Sequence, residues 1–350
     1  MNAPVARVVI VSRVKRNPYV ALLAEGLRQP DLHLDVRVDD RFSAGWVWRQ
    51  RHTADVLHLH WLELFYTYPS LARSLKRWLS VMLGLVLARM CGLRLVYTLH
   101  NLEQHEGRRP QLARWGHWLL LRLAQAVHVH DVQTADTLAR DWGRTRGVYV
   151  IPHGSYVNAY PNTLSRAQAR ERLGLEASAF VYLSLGRVRP YKGLEELLQA
   201  FRQLPDDDAV LFVAGEVQDP GYERELEALA QGDARVRLAL QFVPDDALQV
   251  YLNACDVAVL PYRHVTTSGA AILAFSFAVP VVAPRLGCFM ELAGAQERGL
   301  LFDPGARDGL FEALRQARIL DLATMRQACV AYARERDWRA VARQHAAMYQ

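Results

Sequence analysis

Alternation constrains this chain more than any other feature. Short runs of β-branched and aliphatic residues recur along it, and each is followed by a stretch with helical spacing. In the first half Val8–Ser12, Asp55–His60, Leu93–Leu99, Ala126–His130 and Val148–Ile151 read as strands, and Pro18–Leu27 reads as a helix with proline at its start. A polar, turn-rich stretch follows from Pro152, with a short helix predicted over Ser165–Leu173 behind a Ser165 cap. The scheme then repeats. Phe180–Leu185, Ala209–Ala214, Val236–Gln241, Val257–Leu260, Val279–Ala283 and Leu300–Phe302 read as strands. Leu194–Gln203, Tyr222–Ala230, Asp245–Asn253 and Ala270–Phe277 read as helices, and the chain is helical from Arg307. Apolar strands alternating with helices make parallel sheets covered on both faces. The expected fold is α/β: two tandem Rossmann-like doubly wound domains with an interdomain cleft, where ligands bind at the carboxyl ends of the strands.

The length of 350 residues suits two domains. With 51% apolar and 22% charged residues the composition is globular, which excludes a disordered or fibrous chain. No run of uncharged apolar residues is long enough to span a bilayer. The N-terminus enters a strand without a leader-like segment, so a cytoplasmic location is expected. Cys91, Cys255, Cys288 and Cys329 are scattered without a CxxC and read as small core residues. Residues 1–160 hold 21 Lys and Arg against 12 Asp and Glu, a net +9; the rest hold 21 against 24, a net −3. The basic charge of the first half points to an anionic partner, or to a chain that simply prefers arginine. Only Lys15, Lys76 and Lys192 are lysines.

The sharpest local signal is Gly186-Arg187-Val188-Arg189-Pro190-Tyr191-Lys192-Gly193, which follows a strand and opens a helix. Glycine at both ends permits a tight turn and close backbone approach. Helix N-terminal amides favour an anion, and Arg187 and Lys192 supply cations, with Arg189 a third. A diphosphate fits this constellation. The order of residues is not that of a Walker A loop, and no G-x-G-x-x-G follows the first strand, which argues against kinase and dehydrogenase chemistry.

These residues resemble the GRxxxxKG motif of GT-B glycosyltransferases, above all the retaining enzymes of family 4. The likeness runs along most of the chain. Ile151-Pro152-His153-Gly154 is similar to the family's IPNG segment, Phe242-Val243-Pro244-Asp245 to the stretch that reads the nucleotide base, and Ala254–Pro261 to ADVFVLPS. Ala278–Ala283 resembles GxPVVA, and Val96–Asn101 resembles the strand that ends in Thr-x-His. The resemblance divides the chain into an acceptor-side domain over 1–160, a nucleotide-sugar-binding domain over 161–335, and a C-terminal helix over 336–350 packing back on the first. It implies donor-binding roles for Gly186, Arg187, Lys192, Gly193, Glu216, Phe242, Val243, Thr267, Ser268 and Gly269. There is one departure. The family's two glutamates, eight positions apart, fall here on Val265 and Leu273. Thr266-Thr267-Ser268-Gly269 at a helix start remains a good phosphate seat, but the usual sugar and ribose contacts are lost.

On the acceptor side, Lys15 and Asn17 lie in Ser12–Tyr19, a loop suited to an anionic acceptor, to the diphosphate or to solvent. His100 and Asn101 follow a strand and face the expected cleft, with Glu103 and Glu106 beyond them. His100 and Glu106, with Arg187 and Lys192, form the expected catalytic set. An inverting enzyme would need a base, Glu103 or Glu106. His58/His60 and His128/His130 place each pair on one strand face. His60 and His130 are assigned to acceptor-side lining, packing being the alternative, and no metal site is expected. Asp206-Asp207-Asp208 reads as a solvated turn. Leu75–Arg89 is apolar with basic ends and a tryptophan, and Arg108–Trp118 adds Arg and Trp. They suit an anionic membrane interface, or burial against the sheet.

The expected function is therefore a metal-independent hexosyltransferase without a cofactor. It would move a sugar from a GDP- or UDP-linked donor to a glycan or lipid-linked acceptor, with retention, in polysaccharide or glycoconjugate synthesis. The expected place is the cytoplasm, peripheral at the inner face of the cell membrane. A catalytically silent GT-B nucleotide-binding or scaffold protein and a sugar-nucleotide epimerase are the alternatives. No nucleic-acid module is present.

Overall fold

The structure, a computed structural model, describes residues 6–101 and 109–350. The chain divides into one unit of 1–154 with 336–350 and another of 155–335. The boundary thus falls a few residues before the expected position 160, and the C-terminal segment belongs with the first unit.

The first unit holds a parallel sheet in the order β2-β1-β3-β4-β5-β6. Its strands are β1 (Ala6–Val11), β2 (Leu34–Asp39), β3 (Val56–His60), β4 (Arg94–Thr98), β5 (Ala126–Val129) and β6 (Val148–Val150). The helices between them are α1 (Tyr19–Leu27), α2 (Ala44–Gln50), α3 (Leu71–Met90), α4 (Pro110–Leu123) and α5 (Val132–Trp142). Strand periodicity sorts the side chains. Val9 and Val11 of β1, Leu57 and Leu59 of β3, and Leu95 and Tyr97 of β4 bury against the side that carries α2 to α5. Val8, Ile10, Val56, Val96 and Ala126 bury on the other side, under α1.

β2 is absent from the expected strands. Its pattern, Leu-Asp-Val-Arg-Val-Asp, is that of an edge strand: Val36 is buried and Val38 is 48% exposed. Such a half-solvated edge lacks the continuous apolar run of the central strands.

The second unit begins with α6 (Arg166–Arg172), where Ser165 and Gln168 form a complete capping box. Its parallel sheet runs β12-β11-β10-β7-β8-β9, built from β7 (Phe180–Leu185), β8 (Ala209–Ala214), β9 (Val236–Ala239), β10 (Val257–Val259), β11 (Val281–Pro284) and β12 (Gly299–Phe302). Its further helices are α7 (Leu194–Arg202), α8 (Pro220–Ala230), α9 (Leu248–Ala254), α10 (Gly269–Ser276), α11 (Phe289–Leu292), α12 (Gly309–Ala317) and α13 (Leu322–Glu335). Asp256, at the amino end of β10, accepts from the Val181 amide and pairs with Arg166 and Arg170, so it is a structural anchor. Asp206 and Asp208 of the predicted turn are both held by Arg318.

The last helix, α14 (Trp338–Ala346), returns to the first unit beside α1. A Cβ on Gly26 would stand 2.4 Å from the Trp338 carbonyl, so that glycine sets how closely the two helices approach.

Candidate active site

In doubly wound sheets the strand order reverses at one point, and loops leaving the carboxyl ends there part to admit a ligand. In the second unit that point lies between β7 and β10. The Gly186–Gly193 loop leaves β7 there, and Pro261 and Tyr262 follow β10. The loop's terminal glycines are required. Gly193 has φ +65°, and a Cβ on it would lie 2.3 Å from the Pro261 carbonyl oxygen. Between them a 3-10 turn, Pro190–Lys192, points the Lys192 side chain back over the loop. Its Nζ is 5.2 Å from the centre of the Tyr262 ring and within 3.2 Å of where a Gly186 Cβ would be. Arg263 ties the loop down: its amide donates to the Tyr191 carbonyl, and its guanidinium donates to the Pro190 carbonyl and to Glu195 and Glu196 of the first turn of α7.

Lys192 is buried, and burial together with Arg187 and Arg189 lowers its pKa to about 8. Among the described residues it has no carboxylate partner. A buried cation without an anion is a site that an anion completes. A bound diphosphate raises the pKa, so only the protonated lysine binds it well. Nucleoside diphosphate affinity is therefore expected to be flat up to about pH 7, to fall about twofold by pH 8 and about fivefold more from pH 8 to 9, measurable by calorimetric titration across that range. Lys192→Met should abolish the dependence.

Ser268 caps α10 by accepting from the Ala271 amide, and the buried Thr267 hydroxyl has no partner among the described residues. Gly269 opens the helix behind them. Phe242, 49% exposed, and Val243 follow β9, and Glu216 follows β8. Arg187 is exposed, whereas Arg189 is held by Gln218. Val265 packs by Gly287 after β11, and Leu273 is half-buried on α10, so neither predicted glutamate position offers a polar group.

The first unit gathers histidines. On the α1 side each central strand turns polar toward its carboxyl end: Val56, His58, His60 on β3; Val96, Thr98, His100 from β4; Ala126, His128, His130 from β5. Parallel register brings them together, His60 beside Thr98 and Thr98 beside His128. His153 and His345 of α14 complete the cluster, with Tyr19 ringed by His60, His100, His130 and His153. A hydrogen-bonded chain orders it. The Tyr349 hydroxyl meets His58 Nδ1 at 2.8 Å, His58 Nε2 meets Thr98 Oγ1 at 2.7 Å, and Thr98 meets His128 Nδ1 at 3.1 Å. His128 Nε2 then donates to the Ile151 carbonyl at 2.8 Å. Burial, reinforced by the neighbouring imidazoles, holds these histidines far below their ordinary pKa, so they are neutral at pH 7.

His100 sits at the carboxyl end of β4. Its Nε2 is 3.0 Å from His60 Nδ1, and its ring stacks on Trp61 at 3.7 Å between centres. Trp61 adopts φ 47°, ψ 57°, a left-handed conformation costly for a bulky residue, so its orientation over His100 is enforced. Sequence reasoning missed Trp61, and no local pattern marks it. Asn101 is exposed next to His100. His60 and His130 are both buried. Lys15 and Asn17 come from the loop between β1 and α1. They line an open groove of 780 Å³ between α1 and the ends of β1 and β2, with Arg28 and Asp39. There Lys15 pairs with Asp40 at 3.0 Å, and Asn17 Oδ1 accepts from the Tyr19 amide at the start of α1. Glu103 and Glu106 lie outside the described residues. Among the described residues no group of His, Cys, Asp or Glu is placed to hold a metal ion.

Residues 165–336 match the family described as "Glycosyl transferases group 1". Over 275 residues the chain is 30% identical to a GDP-mannose:glycolipid 4-beta-D-mannosyltransferase of Xanthomonas campestris pv. campestris, covering 76% of this chain and 71% of that protein. Among solved structures, sucrose-phosphate synthase from Thermosynechococcus elongatus superposes with a TM-score of 0.77 over 98% of each chain at 22% identity. Anabaena HepE in complex with UDP gives the same TM-score over 98% of each chain at 21% identity. The fold is GT-B, and the activity that goes with the relationship is sugar transfer from a nucleotide donor. The chain belongs to the group 1 glycosyl transferases.

Proposed function

We propose that this enzyme transfers a hexose, mannose first among candidates, from a GDP-linked donor to a lipid-linked glycan in polysaccharide or glycoconjugate synthesis. The observation that carries this is the buried Lys192, without a carboxylate partner among the described residues, beside Arg187 at the switch point of the second sheet. These cations neutralise charge as it builds on the departing diphosphate, in the place a divalent metal takes elsewhere, so transfer needs no metal. The Thr267 hydroxyl and the Ser268-capped start of α10 suit the phosphates, and Phe242 suits the base. The choice of GDP and of a glycolipid acceptor rests on the Xanthomonas relative. His100, neutral and fixed by Trp61 and His60, is suited to hydrogen-bond a sugar hydroxyl, with His60 and His130 acting behind it as positioning residues and Lys15 and Asn17 meeting the acceptor.

Retention is the outcome usual for the resembling enzymes. A second reading is inversion. Val265 and Leu273 replace the glutamates of the retaining enzymes, and the relative's product is a 4-β-mannoside. An inverting step needs a base, for which Glu106 or Glu103 is available in sequence.

GDP, UDP, ADP and TDP are tested by thermal shift, and GDP-mannose with a polyprenyl-diphosphate glycan by product analysis in the presence of a chelator. GDP at about 100 times its dissociation constant should stabilise by about 2.7 kcal/mol. A shift with GDP and chelator-resistant transfer are expected, and the product's anomeric proton signal separates retention from inversion. A shift confined to UDP would move the donor assignment. Binding without turnover on any donor would overturn the transfer proposed here.

A further inference from the structure

We propose that the outward face of α3, flanked by α2 and α4, seats the first unit on an anionic lipid surface. α3 is a 20-residue helix, about 30 Å long. One side is ordinary core: Val81, Met82, Leu85 and Ala88 are buried. The other side is unusual. Leu71, Leu75, Leu79, Leu83, Val86 and Met90 are exposed, Leu79 to 61%, Leu83 to 59% and Met90 to 78%. At 100° per residue these six fall within an arc of about 120°, a continuous apolar stripe along the whole helix.

The neighbouring helices extend the stripe. α4 runs alongside, joined where the Trp78 indole donates to the Leu112 carbonyl at 2.9 Å. It presents Trp115 and Trp118, 60% and 42% exposed, edge to face. Arg122 lies over Trp118, and on α2 the exposed Trp48 carries Arg51 over its ring.

Charge identifies the occupant. α2, α3 and α4 together contain no Asp or Glu and seven Lys or Arg. A second copy meeting this face about a two-fold axis would set these cations against their own image. An anionic lipid surface complements every component: acyl chains take the leucine stripe, tryptophans sit at headgroup depth, and Lys and Arg meet the phosphates. No helix among the described residues is long and apolar enough to cross the membrane, so the contact is one of lying on the surface. The inference uses no residue of the second unit and stands whether or not the donor assignment holds.

The full chain is sedimented with vesicles of phosphatidylcholine alone and of phosphatidylcholine with phosphatidylglycerol. Salt-sensitive binding to the anionic vesicles is expected, with each cation removed at Lys76 or Arg114 weakening it roughly fivefold. Leu79→Glu/Leu83→Glu should lower binding more than tenfold while keeping the wild-type melting temperature and nucleotide-induced shift. Failure of the wild type to bind anionic vesicles, or full binding by the leucine variant, overturns the proposal. So does a dimer in sizing experiments that this variant converts to a monomer.

Discussion

Lys192→Ala is expected to lower sugar transfer by roughly 10- to 150-fold while leaving the second unit folded. Those bounds follow from a charge-assisted contact of about 1.5–3 kcal/mol to the leaving diphosphate. The structure explains why the fold should survive. Lys192 is buried with Arg187 and Arg189 as its charged neighbours and no carboxylate partner among the described residues. Removing it breaks no ion pair and relieves desolvation, so the melting temperature should hold or rise. Lys192→Met separates charge from shape, because it fills similar space without a cation. Steady-state transfer and thermal unfolding are measured on both variants. Equal losses in Ala and Met assign the effect to charge, and wild-type transfer by Met would remove Lys192 from catalysis.

The second large effect is on stability in mild acid. His153 and His345 are buried in the first unit, and burial lowers each pKa to about 4. The unfolded chain takes up these protons near pH 6.5, the folded chain only near pH 4. The unfolded state therefore binds more protons across that window, and stability is lost as pH falls through it. At pH 5 each of the two costs about 2 kcal/mol, and the other buried histidines act in the same direction. The first unit should melt roughly 10 °C lower at pH 5 than at pH 7.5. The second unit provides an internal control, since its histidine, His264, is exposed. Scanning calorimetry should show the first unit's transition moving and the second unit's staying. Equal movement of both, or of neither, would refute a histidine origin.

Much of this architecture is legible in the sequence, for a local reason. The central strands are continuous β-branched runs, and a buried parallel strand needs nothing from its neighbours to be recognised. The Gly186–Gly193 loop is legible for the same reason, because its turn geometry and its cations lie within eight residues. β2 was missed because half of its side chains face water, so its apolar signal is diluted.

Other features belong to the tertiary structure alone. Four histidines announce themselves as His-x-His pairs. Parallel register and the return of α14 are what join them to His100, His153 and His345 in one neutral network. Trp61 becomes significant only through its stacking on His100. Asn17 Oδ1 accepts from the amide of Tyr19, whose ring lies among the histidines, a link that only the folded chain makes. The α3 helix makes the distinction plainest. Its sequence is apolar nearly all round in its second half, and both burial and membrane contact suit that composition. A helix packed on one side of a sheet has room to bury one stripe, and Val81 and Leu85 take it. Leu79, Leu83 and Met90 are left facing outward because helix geometry places them there once their neighbours are buried. Local patterning is enough for the central strands of both sheets, the loop at the end of β7 and the basic character of the first unit; which side chains meet, and which face remains uncovered, depends on contacts between residues far apart in the chain.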